Sequence, residues 1–486
     1  MTLRARGVID ADVAIVGAGP AGAATACHFA RAGFRVVLID QRRFPRDKVC
    51  GDFVGPSALA ELDYLGLSSH PILRDANRIR NGALYLNGVK AVRRPFPHID
   101  GLRDYGLCIP RIFLDDAIVQ AAVASGARLI EEARVTCYEA DTTGVTLFHQ
   151  GTDGQQGLRT RILIGADGSS SLISRILRGA KPAKRDQIVA VRAYFEDVEG
   201  PADQADLYVN WSSFPGYYWL FPTGMNSANV GVGMLLEART PGKQQLSQLL
   251  TQLIGSDPAI RFRLARAKMY EKIAGWPLAI YNPQLPIIGN RVALIGDAAG
   301  FINPLSGEGI QYALRSARWC SEALSDALSS DDLSAPGLRP YAKRAQSEMR
   351  YDMALSRLII DLAKNRALNP LWLSALSIIA KRGASDSAYY DLAAGVFAGI
   401  VPARGFLALP FFWRTAKSAV STLSTAAVEV LLGPRRLEES SATLTKTVAS
   451  MFKDSLRHPI TTLEWGLDCV LSASELAMQM AISAVE

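Results

Sequence analysis

Residues Val13 to Gly22 read V-A-I-V-G-A-G-P-A-G: an apolar run, a glycine turn and the opening of a helix. Asp40 closes the next apolar run, R-V-V-L-I-D. This spacing suits a dinucleotide. Gly17 permits the tight turn, Gly19 lets backbone approach a pyrophosphate, and Gly22 lets helix and sheet pack closely. Pro20 and Ala21 begin the helix, whose free N–H groups and positive dipole end face the phosphates. Asp40 follows about 20 residues on, where it can accept hydrogen bonds from a ribose diol. A glycine turn alone is common. Strand, helix and terminal acid in register are not.

Two further strand ends carry acids. Gly165-Ala166-Asp167-Gly168 closes one strand and opens a helix containing Arg175. Gly296-Asp297-Ala298-Ala299 does the same and leads into N-P-L-S-G-E-G-I at Asn303–Ile310. Each aspartate alone is explained equally well as a helix cap. In a doubly wound sheet, however, the carboxyl ends of the strands line the ligand crevice. A ribityl chain, with hydroxyls strung between phosphate and ring, would give Asp297 something to bind.

The elements around these turns divide the chain. Its 486 residues exceed one core and imply two or three domains. Hydrophobic content of 49%, charged content of 20% and a mean hydropathy of +0.10 describe a slightly greasy globular protein. The net charge of +7 and pI near 9.0 suit an anionic membrane or ligand. No basic run is interleaved with aromatics, so no nucleic-acid partner is expected. The cysteines at 27, 50, 108, 137, 320 and 469 form no CxxC pair, so no metal is expected and the cytoplasm is the natural compartment. The first strand starts too near Met1 for a signal peptide. No apolar run reaches the ~18 residues of a spanning helix, the longest being cut by Arg366, Lys381, Arg404 or Lys417.

Asn87-Gly88 predicts a hairpin within Ile79–Val92, and Arg111–Ser125 has helical spacing ending at Gly126. Alternation predicts strands near Ala133–Tyr138 and Val145–His149, a polar turn over Gly151–Gly157, and a buried strand over Arg161–Gly165. Between Ile188 and Gly275 the chain becomes β-rich and aromatic, which predicts a separate antiparallel sheet. Buried-strand pattern returns at Arg291–Asp297, followed by a long helix through Ser329. From Ala342 onward the chain reads as helical, with Leu463, Leu467, Val470, Leu471, Met478, Ile482 and Val485 in one stripe. That stripe either packs a C-terminal helical domain on itself or meets a bilayer, helped by Arg404, Arg414, Lys417, Arg435 and Arg436.

With these three turns in one chain, the sequence resembles flavoproteins of the p-hydroxybenzoate hydroxylase class over roughly residues 10–345. The resemblance implies FAD held by Gly17, Gly19, Gly22 and Asp40 at the adenosine half. Asp167 and Gly168 would lie near the pyrophosphate, and Gly296 and Asp297 at the ribityl chain. Arg111, opening a helix as R-x-x-x-D, matches the arginine the class sets against the flavin. Within that class, K-V-C-G-D-F-V-G-P-S-A-L at Lys48–Leu59 and the Tyr217, Trp219, Phe221, Pro222 strand look like the geranylgeranyl reductase family. The G-V-F-A-G-I-V-P-A-R element at Gly395–Arg404 is also similar to bacterial members. Two departures stand out: the proline before Tyr217 is shifted to Pro215, and a second glycine after Gly51 is replaced by Asp52.

The implied fold is α/β: a discontinuous Rossmann-like FAD-binding domain (8–75, 110–185 and 286–345), an inserted antiparallel β-sheet substrate domain (76–109 and 186–285), and a C-terminal helical region (346–486). The implied activity is FAD-dependent reduction of isolated C=C bonds in a prenyl lipid chain. Arg46, Lys48, Pro304, Gly307, Gly309 and Ile310 join the expected cofactor set, the helix after Gly309 aiming its N-terminus at the ring. Cys50, as a proton donor or as packing, with Tyr217 and Trp219 as electron-rich faces, forms the expected catalytic set. NAD(P)H or ferredoxin is the expected transient reductant. The expected partners are a prenyl lipid or other apolar small molecule, with peripheral membrane contact through the C-terminal helices. The rivals are a monooxygenase, a halogenase whose lysine position would be Arg80, and a non-catalytic lipid-binding flavoprotein.

Overall fold

Strand Val36–Ile39 is aliphatic throughout and Ala11–Val16 is aliphatic but for Asp12, and burial on both faces is what a parallel sheet requires. In this computed structural model, which describes residues 9–152, 154–211, 213–237, 245–397, 399, 401 and 459–485, they sit mid-sheet. The sheet order is Ile288–Gly289, Val292–Leu294, Gly154–Gly165, Ala11–Val16, Val36–Ile39, Arg128–Ile130. Val16 pairs in parallel with both Gly165 and Ile39, and Gly165 with Leu294. That register delivers all three turns to one carboxyl edge, so Gly17, Asp40, Asp167 and Asp297 become neighbours. The Pro20–Arg31 helix packs against the Ile310–Ser330 and Arg111–Ala124 helices. Its Ala23, Ala24 and Ala26 are fully buried, and a larger side chain there would overpack by about 1–3 kcal/mol.

The strand expected over Arg161–Gly165 is longer. It starts at Gly154 and pairs antiparallel with Val145–Gly151 along that strand's whole length. The polar Gly151–Gly157 stretch is therefore mostly strand, because its glycines and glutamines find ladder partners on a solvent-facing hairpin.

The second sheet runs Lys268–Met269, Gln187–Glu196, Ser227–Leu235, Tyr217–Pro222, Gln204–Val209, Asn81–Leu86, Val89–Pro95, with Ala274–Ala279 also on Gln187–Glu196. The hairpin turns at Asn87 and Gly88, with φ of +49° and +78°, the left-handed pair a two-residue turn needs. One pairing departs from the expected antiparallel pattern: Gln204–Val209 lies parallel to Asn81–Leu86. These strands come from separate passes of the chain, so no hairpin fixes their relative direction. Helices Leu246–Ser256 and Pro258–Arg263, not expected from the β-rich texture, bury Leu250, Leu253 and Ile260 against this sheet. A small third sheet of Phe53–Val54, Gly106–Cys108 and Asn77–Ile79 anchors the chain just after Cys50.

The Arg339–Ala363 helix crosses position 345 without a break and is fastened to the first sheet by Tyr341, whose hydroxyl donates to Leu294 O at 2.7 Å. Asn369–Ser385 and Ser387–Phe397 follow as helices. The Pro459–Val485 helix docks on Arg339–Ala363: Trp465 Nε1 donates to Asp361 O and Ser472 Oγ to Asp361 Oδ2. Its Leu463, Leu467, Val470, Leu471 and Met478 are exposed, so the stripe faces away from that partner. The side chains of Ile482 and Val485, and Arg404, Arg414, Lys417, Arg435 and Arg436, lie outside the described residues. So does Gly395–Arg404 beyond Phe397, except Gly399 and Val401. Among the described residues no helix is long and apolar enough to cross a membrane.

Candidate active site

A cavity of about 1420 Å³ lies between the carboxyl edge of the first sheet, the inner face of the second and the C-terminal helices. Ordinary ligand pockets are about 300–1,000 Å³, so this one has room for a dinucleotide and a second molecule. Gly17, Gly19, Pro20, Ala21 and Asp40 stand on its wall. So do Arg46, Lys48, Arg111, Asp167, Gly168 and Asp297, then Pro304, Gly307, Gly309 and Ile310. Cys50, Tyr217 and Trp219 open onto the same space.

Gly22 and Gly296 do not line the wall. A Cβ on Gly22 would meet Gly17 O at 1.8 Å, and one on Gly296 would meet Ala21 Cβ at 2.8 Å. Gly296, expected among the cofactor contacts, instead lets its strand turn tightly against the first helix, as Gly22 does from the other side. Arg80, the position weighed for a halogenase lysine, is exposed and off the wall, its guanidinium 5.8 Å from the Tyr105 ring.

The acids differ in what they already hold. Asp40 accepts the N–H of Ala18 and of Arg42, each at 2.8 Å, which fixes the glycine turn beside it. Asp167 accepts from Leu172 N at 2.7 Å, Ile173 N at 3.3 Å and the Ser171 hydroxyl, so it caps the following helix. Asp297 accepts a weaker bond from Ser169 Oγ at 3.1 Å and faces the cavity. Of the three it is the most available to ligand hydroxyls.

Asp115, fully buried, organises the cations. It takes two bonds from Arg111, at 2.6 and 2.8 Å, and one from Arg46 at 2.9 Å. The R-x-x-x-D spacing sets Arg111 and Asp115 one helical turn apart, which makes this fork possible. Lys48 lies 4.1 Å over the Trp276 ring. Burial lowers its pKa to about 8, against the pull of Asp297.

Burial raises the Cys50 thiol above its ordinary value, while Arg111 opposes that rise by its charge and a hydrogen bond to the sulfur. The group is a protonated thiol at neutral pH. Trp219 Nε1 donates to Asn229 Oδ1 at 2.9 Å, and Asn229 Nδ2 donates to Cys50 O at 2.7 Å and Asp52 Oδ2 at 2.8 Å. One buried asparagine thus ties the thiol turn to the indole. Gly231 makes space for that indole, since a Cβ there would stand 2.2 Å from Trp219 Cζ2. The Tyr217 ring lies 6.3 Å from Trp219 and 6.4 Å from Phe397, and its hydroxyl donates to Ser306 O.

Sequence reasoning missed Asn229, Glu308 and Tyr194, whose hydroxyl donates to Asp52 Oδ2, as members of this site, and met Asp115 only as the acid of R-x-x-x-D. Asn229 had a signal: an amide in the apolar run A-N-V-G-V-G-M demands a buried partner. Glu308 lines the cavity, and burial lifts its carboxyl to about 7. The apolar remainder of the wall comes from the C-terminal helices, through Leu355, Ile359, Trp372, Leu376 and Ile379, with Phe397 from the start of the Gly395–Arg404 element.

The glycine turns, the hydroxyl-seeking Asp297 and the size of the cavity fit FAD. Residues 10–333 match the FAD binding domain family, and the chain belongs to it. More particularly, it is an FAD-dependent oxidoreductase with reductases among its relatives. The menaquinone reductase of Mycobacterium tuberculosis is 35% identical over 331 residues, covering 65% of this chain and 76% of that protein. Digeranylgeranylglycerophospholipid reductase 2 of Methanopyrus kandleri is 29% identical over 375 residues, 75% and 90% of the two chains. In fold the chain is similar to a geranylgeranyl bacteriochlorophyll reductase-like structure from Thermoplasma acidophilum, with a TM-score of 0.67 and 21% identity over 79% of this chain and 95% of that one.

Proposed function

We propose that the protein saturates isolated C=C bonds in the prenyl chain of a lipid, with Cys50 as the proton donor. The carrying observation is that a protonated thiol, two electron-rich rings and a long apolar wall open onto one cavity with the cofactor-binding turns. The substrates in the two relatives' names, menaquinone and digeranylgeranylglycerophospholipid, both carry prenyl chains, which supports the reading. Reduced FAD, recharged by NAD(P)H or ferredoxin, supplies a hydride equivalent when bound.

The chain's own residues do the rest. An unactivated alkene has no carbonyl to drain incoming charge, so protonation must accompany or precede hydride arrival. The S–H bond of Cys50 breaks as a C–H bond forms, and the resulting thiolate faces the Arg111 guanidinium and the Asp52 N–H. Cationic character at the other alkene carbon is steadied by the faces of Trp219 and Tyr217, an effect of about 2 kcal/mol when desolvated. Leu355, Ile359 and Leu376 keep water from that carbon. The exposed face of the Pro459–Val485 helix supports approach to the bilayer holding such lipids.

The test is anaerobic mixing of dithionite-reduced protein with menaquinone or a digeranylgeranyl lipid, followed by mass spectrometry. A gain of two hydrogens is expected. Product that appears only with air and carries one oxygen would replace this reading with a hydroxylase. Cys50→Ala should leave flavin reduction intact while alkene turnover falls; equal loss of both removes Cys50 from the proton step. Flotation with anionic vesicles, lost on Leu467→Glu, tests the membrane contact, and equal flotation by both proteins refutes it.

A further inference from the structure

Asp52 occupies a position where the resemblance places glycine, and it keeps glycine's backbone, with φ of +63°. It is completely buried. Its Oδ2 accepts from the Tyr194 hydroxyl and from Asn229 Nδ2, while Oδ1, equally enclosed, has no hydrogen-bond partner. A buried carboxylate with one idle oxygen and a left-handed backbone is costly to keep. Its neighbour in sequence is the Cys50–Gly51 turn, and its own N–H points at the Cys50 sulfur.

We propose that Asp52 is a positioning residue that keeps the Cys50 proton on the sulfur between turnovers, its fixed carboxylate standing as a negative charge beside the thiol. The idea rests on the reading of Cys50 as proton donor. Burial does most to hold the proton on the sulfur; beside it the Arg111 guanidinium favours the thiolate and the Asp52 carboxylate opposes it. Each sign has a purpose. The guanidinium receives the charge created when the proton leaves, and the carboxylate prevents that charge from forming before an alkene is seated.

The groups facing Asp52 come from every element packed on it. Tyr194 and Arg192 belong to the Gln187–Glu196 strand, with Tyr270 stacked behind Tyr194. Cys108 comes from the Gly106–Cys108 strand and Arg111 from its helix. Asn229 contributes two hydrogen bonds to the turn and no charge. Burial lifts the Asp52 carboxyl to about 6, against the Tyr194 and Asn229 hydrogen bonds and the two arginines, so it remains ionised at neutral pH.

The experiment uses the full FAD-loaded chain and needs no lipid. Cys50 is alkylated with iodoacetamide across a range of pH, and the Cys50 peptide is quantified by mass spectrometry. The wild-type midpoint should lie above 9.0, the ordinary thiol value. Asp52→Asn preserves shape, and asparagine tolerates a left-handed backbone. Asp52→Gly fits that backbone without strain. In both variants the midpoint should fall by about 1 pH unit or more, giving about tenfold faster alkylation near neutral pH. The alkaline limb of prenyl reduction should move the same way with KM unchanged.

An Asp52 that merely braces the turn would alter FAD retention or melting and leave the midpoint in place; that result overturns the proposal. A wild-type midpoint at or below 9.0 overturns it with no variant needed. Loss of reductase activity on every prenyl lipid tried, with the alkylation shift present, would instead count against the assigned substrate alone.

Discussion

Removing the charge of Asp115 should be the most damaging single conservative change in the site. Its carboxylate is fully enclosed and holds Arg111, itself 8% exposed, by two bonds and Arg46 by a third. Asp115→Asn keeps the shape and leaves a buried guanidinium without its counter-charge. Breaking one side of a buried pair typically costs about 3–5 kcal/mol. With a urea dependence of about 3 kcal/mol per M, the unfolding midpoint should fall by about 1 M or slightly more. Urea titration followed by circular dichroism reads this, and the FAD co-purified with the variant reads the effect on the cavity wall. A paired change, Asp115→Leu with Arg111→Met, removes both charges and should regain most of the stability while FAD retention stays poor. The reasoning is refuted by a midpoint within about 0.3 M of wild type for Asp115→Asn, or by a double variant no more stable than the single one.

Asp297→Ala should weaken FAD retention on gel filtration with little change in secondary structure; unchanged retention removes Asp297 from the site. Gly17→Ala should yield no FAD-loaded soluble protein, because its φ is +99° and a Cβ would stand 2.3 Å from Ala166 O. Gly33→Ala, at φ +87° in open space, should cost only about 1–2 kcal/mol, and equal damage at both positions would mean that backbone strain rather than the close approach decides. Burial lifts Glu308 from 4.5 to about 7, so the folded state holds a proton the unfolded chain releases. That contribution is complete below pH 4.5 and disappears as pH rises through about 7. Glu308→Gln should therefore reduce the fall in Tm across that window, and a slope identical to wild type would contradict it.

The cofactor half was legible because its motifs are local. V-A-I-V-G-A-G-P-A-G encodes strand, turn and helix in ten consecutive residues, and parallel pairing then brings the Asp40, Asp167 and Asp297 ends together without further information. Gly296 was expected at the cofactor and lies off the cavity wall, and a glycine in a turn looks alike in sequence whether it admits a ligand or a neighbouring helix. The parallel pairing of Gln204–Val209 with Asn81–Leu86 left no trace, since strand texture says nothing of a partner more than 100 residues away. Asn229, and the Asp115 bond to Arg46, act through contacts between separate segments, so only a sharp look at polar residues in apolar stretches would have raised them. The apolar wall from Leu355 to Phe397 could be read as helical but not as facing the cavity, because amphipathic pattern names a buried face and not what it is buried against.

That one parallel ladder has a practical corollary. The hairpin Asn81–Pro95 and the strands from Gln187 onward make a continuous surface only after the intervening nucleotide-binding segment has brought its ends together. Neither compartment can be excised by cutting the chain once, and replacing the cavity-facing sheet with that of a relative requires two simultaneous transplants. Exchange of this sheet through a single crossover is thus blocked by connectivity.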